Sequence, residues 1–173
     1  VNMCRSSDEG MGKLAPDEFE PALLRLIGDW LDESAGQRVE VMACGMVGAR
    51  QGWREAAYRP VPTAPLDAPF LTVVPQDARF HFHIVPGLSQ AEPADVMRGE
   101  ETQIAGARPL MPHYTGIRCR PGTPAESVPL SAGEVVSFQT FMTGELFALL
   151  STQSVLRHSV TSTDWDATAF DAG

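Results

Sequence analysis

Fifteen glycines and 14 prolines fall among the 173 residues of this chain, and they limit what it can fold into. Proline removes a backbone donor and glycine weakens a helix interior, so long helices and long unbroken strands are disfavoured. What remains is a set of short elements joined by tight turns. The firmest is residues 17–33, where Phe19, Leu23, Leu24, Ile27, Trp30 and Leu31 recur at spacings of three and four. Asp17, Glu18 and Glu20 stand in its first turn, where the helix dipole favours negative charge, and Ser34, Ala35 and Gly36 end it.

A largely apolar run at 39–44 stops at Gly45 and reads as a buried strand that turns sharply at its end. Residues 46–68, rich in Gly, Pro and Arg, read as loop. Residues 70–74, 80–85 and 117–120 read as further strands, and 134–141 alternates like one. Helices are expected over 99–108 and 144–156, with the opening of another at 164–170. Helices interleaved with short apolar strands predict an α/β architecture around a mostly buried sheet. Glycine-rich turns directly after strands put loops at the carboxyl edge, where open α/β folds bind ligands.

The net charge of −9 and pI of about 4.8 argue against a nucleic-acid partner, because the average field repels a polyphosphate. A single Arg or a bound cation can still hold a small anion. No apolar run approaches the ~20 residues of a membrane helix, and residues 1–10, polar and without periodicity, read as a loose start without the layout of a secretory signal. Cys4, Cys44 and Cys119 are odd in number and widely spaced, so a reduced, cytoplasmic protein is expected. Lys13 and Asn2 are the sole lysine and asparagine, a usage that fits a GC-rich bacterial genome.

Four turns can carry chemistry. In Cys44-Gly45-Met46-Val47-Gly48-Ala49-Arg50-Gln51-Gly52-Trp53 the glycines let a bound group approach the backbone, Arg50 can clamp a carboxylate and Trp53 can wall a sugar. The same run also reads as a tight turn with a surface Arg and a packing Trp. Cys44, at the end of a buried strand, reads as inert core. Arg98-Gly99-Glu100-Glu101 sets paired carboxylates at a helix start, where one can act as general base and the other hold water or a metal; the dipole alone also explains them. Pro121-Gly122-Thr123 offers amides and a hydroxyl to phosphate, or is a plain β-turn. Thr143 reads as a helix cap with Glu145 in the first turn, a substrate contact or a capping acid. His81 and His83 share one face of a strand with no third zinc ligand at a recognisable spacing, and read as structural.

In this order, 43–53 with Tyr58, then Ile84-Val85-Pro86-Gly87-Leu88, 96–103, 121–123 and Phe141-Met142-Thr143-Gly144-Glu145 resemble the 2-keto-3-deoxygalactonate kinases over most of the chain. The resemblance implies an actin-like, hexokinase-type (ribonuclease H-like) ATPase lobe. It implies transfer of the γ-phosphoryl group of ATP, with Mg2+, to the 6-hydroxyl of 2-keto-3-deoxygalactonate in galactonate catabolism. Carried onto this chain, it makes Glu100 the base and Glu101 its metal or water partner. Gly45, Met46, Gly48, Arg50, Trp53, Arg98 and Glu145 become sugar-acid contacts, with Arg50 on the carboxylate, and Gly122 and Thr123 phosphate contacts. No metal ligand is assigned.

The family pattern also has an opening Asp-Trp-Gly-Thr-type phosphate loop, a continuing second lobe, and a His-x-Lys-Trp run after Pro-Gly-Thr. Here that run reads Pro124-Ala125-Glu126-Ser127, and Glu126 is expected to repel phosphate. Residues 11–163 therefore read as a partial first lobe and 164–173 as the start of a second-lobe segment. The alternative is a remnant that binds the sugar acid without using ATP. Apolar surface left uncovered predicts a homo-oligomer.

Overall fold

In the computed structural model of this chain, residues 3–32, 36–111, 113–120, 122, 125–159 and 166–172 are described. In chain order the elements are α1 (Phe19–Asp32), β1 (Val39–Ala43), β2 (Arg59–Pro60), β3 (Leu71–Val73), β4 (Phe80–Ile84), β5 (Leu88–Gln90), β6 (Asp95–Met97), α2 (Glu100–Ala107), β7 (Gly116–Arg120), β8 (Ala125–Ser131), β9 (Glu134–Val135), β10 (Gln139–Phe141), α3 (Thr143–Gln153) and α4 (Ala167–Ala172).

Among the described residues the strands form three small sheets rather than one buried sheet. In the first, ordered β1-β4-β3, β1 runs parallel and β3 antiparallel to β4. Its inner face carries Val39, Val41, Phe80, Phe82, Ile84 and Val73, which pack with Ile27 and Leu31 of α1. The alternation of β4, Phe-His-Phe-His-Ile, thus turns apolar residues to the helix and both histidines outward. There Glu40 bridges them, Oε1 to His81 Nδ1 at 2.6 Å and Oε2 to His83 Nε2 at 2.9 Å. The second sheet is β2-β5-β6 and the third β10-β8-β7, with β9 also on β8. They share a core of Leu88, Met97, Ile104, Val128, Leu130, Val135 and Phe138. Gln90 clasps the two sheets: its amide donates to the Phe138 carbonyl at 3.2 Å and accepts from the Phe138 N–H at 2.9 Å.

Several expectations need correction. The 134–141 run is two short strands: 134–135 and 139–141 pair with β8, and beyond the first Val136 keeps a single bond, to the Pro129 carbonyl. Residues 46–68 contain β2. Cys44 is exposed, since β1 ends one residue before it. Thr143 does not cap α3; Met142 holds that position and no side chain caps it. Residues 3–10 lack regular structure yet are tied to α1 through Arg5 to Asp29 (2.9 Å) and Glu9 to Arg25. Glu20, beyond any dipole role, is buried and accepts the Gln76 and Asp77 amides at 3.0 and 2.8 Å. No described helix is long and apolar enough to cross a membrane. The turn of α3 leaves Leu146, Phe147, Leu149 and Leu150 exposed.

Candidate active site

The turn after β1 and the start of α2 meet. Gly45 has φ +80° and Gly99 φ +111°, both in the left-handed region that favours glycine. A β-carbon on Gly99 would stand 3.2 Å from the Gly45 Cα, so the acidic helix start lies directly against the glycine turn. Beneath it, a β-carbon on Gly48 would meet the Arg98 guanidinium at 2.8 Å.

The two adjacent carboxylates differ sharply. Glu101 is fully buried; it accepts the Gly99 N–H at 2.7 Å and the Thr102 hydroxyl at 3.1 Å. Burial pushes its carboxyl above the ordinary range. Glu101 thus holds the helix start together from a fully buried position. Glu100 lies at the rim. Its Oε2 accepts the Arg98 N–H at 2.8 Å and its Oε1 faces Arg120 Nη2 at 3.2 Å.

The mouth of the β7–β8 hairpin closes the same region. Arg120 and Glu126 are direct cross-strand partners on either side of the turn that contains Gly122. Arg120 donates to Gln103 at 3.0 Å as well as to Glu100, and its Nε lies 3.6 Å from Glu126 Oε2. Gly122 is exposed at the tip; Thr123 lies outside the described residues. Glu126 is buried at the foot of the turn, behind Arg120, rather than facing outward to repel an anion.

The remaining expected contacts are distributed differently. Met46, Arg50 and Glu145 are exposed, and among the described residues Arg50 has no polar partner. Arg98 is turned inward: it donates to the Ala56 carbonyl at 2.7 Å and lies over the Tyr58 ring at 4.2 Å, which makes it a strut under the turn. Trp53 stays half-buried at the edge of the core, its ring packed on Phe82 at 4.4 Å and stacked with Phe19 at 6.4 Å. Among the described residues no group of three or more His, Cys, Asp and Glu is arranged to hold a metal. The Mg2+ of a kinase commonly keeps phosphate and water ligands, so such a cage is not required of the protein.

A family model described as 2-keto-3-deoxy-galactonokinase matches residues 1–173. The chain belongs to the 2-keto-3-deoxy-galactonokinase family. Among curated relatives, "Probable 2-dehydro-3-deoxygalactonokinase DgoK1" of Rhizobium meliloti (strain 1021) is 40% identical over 163 residues, 92% of this chain and 52% of the relative. The 2-dehydro-3-deoxygalactonokinase of Escherichia coli (strain K12) is 34% identical over 173 residues, 98% of this chain and 56% of that protein. A solved structure, "Crystal structure of a putative 2-dehydro-3-deoxygalactonokinase protein from Sinorhizobium meliloti", superposes with TM-score 0.76 at 38% identity, covering 92% of this chain and 52% of that one. The chain thus spans about half the length of these 2-keto-3-deoxy-galactonokinase relatives.

Within this galactonokinase-family site Glu126 has the most displaced proton affinity. Burial and the Glu100 charge raise its carboxyl from 4.5 to about 7 against the pull of Arg120. A raised folded value means that its ionisation opposes folding: the stability it confers is complete below 4.5 and is lost as pH rises through about 7. Glu126→Gln, which never ionises, should therefore be more stable than the parent at pH 8, by up to about 2–3 kcal/mol, and near parity at pH 4. Urea unfolding at the two pH values tests this; an unchanged difference between them would refute it.

Proposed function

We propose that this chain forms the sugar-acid side of a kinase that phosphorylates the 6-hydroxyl of 2-keto-3-deoxygalactonate, using ATP and Mg2+, in bacterial galactonate catabolism in the cytoplasm. The observation that carries the reading is the contact between the acidic helix start at Gly99 and Glu100 and the glycine turn at Gly45. It sets a rim carboxylate beside a backbone that a small ligand can approach. Glu100 is the base in this reading, since Glu101 is consumed internally. Arg50 is the group for the substrate carboxylate, and Gly122 with Thr123 for phosphate. When bound, Mg·ATP supplies the transferable phosphoryl group and the charge that neutralises it. The lobe is taken to be of the actin-like, hexokinase type.

A second reading, sugar-acid binding without ATP use, draws on one observation: the run Pro124-Ala125-Glu126-Ser127 brings no cation after the phosphate turn, where the family pattern has His-x-Lys-Trp. Calorimetric titration of the chain with 2-keto-3-deoxygalactonate, with and without Mg·ATP, separates the two. Phosphorylated product supports the kinase; sugar binding with no nucleotide response supports the second reading; binding of neither ligand defeats both. Arg50→Ala should weaken sugar-acid binding by about 1.5–3 kcal/mol, the scale of a charge-assisted contact. Unchanged affinity would move the carboxylate site elsewhere.

A further inference from the structure

We propose that Arg120 and Glu126 are positioning residues for Glu100: Arg120 is shared between the two carboxylates, and the proton on Glu126 decides how firmly it holds Glu100. The inference rests on the reading of Glu100 as the substrate-facing acid. Its geometric basis is independent of that reading. Arg120 and Glu126 stand opposite each other in the β7–β8 register, fixing their separation by the backbone. The same guanidinium reaches α2 at two points, Glu100 at 3.2 Å and Gln103 at 3.0 Å. Glu126 Oε2, buried and without a hydrogen bond, faces Arg120 Nε at 3.6 Å.

The charged groups around Glu126 in the described residues are few. Arg120 comes from β7, Glu100 from α2 and Asp95 from β6; β10 presents Thr140, whose amide and hydroxyl are held by Asp95. Arg118, two residues along β7, is paired in register with Val128 instead. When Glu126 is ionised, one cation faces two acids. When Glu126 takes up a proton, its competition for the Arg120 charge ends, and Glu100 is held more firmly toward the hairpin. A carboxylate on the rim of a substrate site is thereby oriented from behind, through the turn assigned to phosphate.

The experiment is a carbon-13 titration of glutamate carboxyls in the intact chain, with the Glu100 signal assigned through Glu100→Gln. The Glu100 signal should show, beyond its own titration, a second inflection near pH 7, the midpoint of Glu126. Glu126→Gln should erase that inflection, and Arg120→Lys should shrink it at least twofold while leaving the fold intact. A Glu100 signal with no second step, or a step that survives Glu126→Gln, overturns the proposal. Calorimetry with 2-keto-3-deoxygalactonate across pH 6–8 separates this from the functional reading. An affinity change of about threefold or more, flattened in Glu126→Gln, supports both. An intact inflection with no sugar binding at any pH supports the clamp and overturns the sugar-acid site.

Discussion

Glu100→Gln should leave the affinity for the sugar acid within about threefold while cutting phosphoryl transfer by 10²–10⁴, the range typical of losing a positioned general base. The amide keeps the size of the side chain and can still accept the Arg98 N–H, so the turn that carries it need not move. What it cannot do is take a hydroxyl proton. Matched assays of product formation and sugar-acid binding, parent against variant, measure the two effects separately. Full transfer in Glu100→Gln would remove Glu100 from the role. Glu101 would not inherit it in this conformation, because its oxygens are enclosed and bound to Gly99 and Thr102.

The second large effect concerns stability. Phe82 is 2% exposed in the middle of β4, against Trp53 at 4.4 Å and Phe80 at 6.2 Å. Phe82→Ala removes the ring on which Trp53 rests and should cost about 3–5 kcal/mol of unfolding free energy. Denaturant unfolding would register this as a lower midpoint. A loss below about 1 kcal/mol would mean that the neighbours collapse into the space, which the fixed strand register opposes.

The elements legible in the sequence are those with a strong period. α1 follows its apolar stripe, and β1 and β4 follow from compact apolar or alternating runs ended by glycine or proline. β8 was hidden because Pro129 interrupts it and reads as a breaker. The carbonyl of Pro129 accepts from Val136, but Pro129 has no N–H to return that bond, and the β9 pairing stops at Val135. β5 and β6, three residues each, are too short for any period.

At the site, the acidic pair and the glycine turn could be read as separate segments, but their contact depends on tertiary placement. The division of labour between Glu100 and Glu101 was equally hidden, since neighbours in a helix first turn look alike until one is buried. The positioning role proposed for Arg120 is not among the site readings made from the sequence. Its signal was a cation and an acid flanking a Pro-Gly turn, the signature of a cross-strand pair at a hairpin mouth. Trp53 invites a ligand role from its place beside glycines, and the structure adds that Phe19 and Phe82 hold its ring at the core edge.

The two apolar clusters, one around α1 and the other around α2, share no member. Arg98 follows Met97 of the second and reaches across to Ala56 of the first. The Gly45 turn is anchored in one block and Glu100 in the other, so the spacing between them is set by how the blocks are bolted together. The Arg98 guanidinium under the turn acts as that bolt, a gauge for the gap above it.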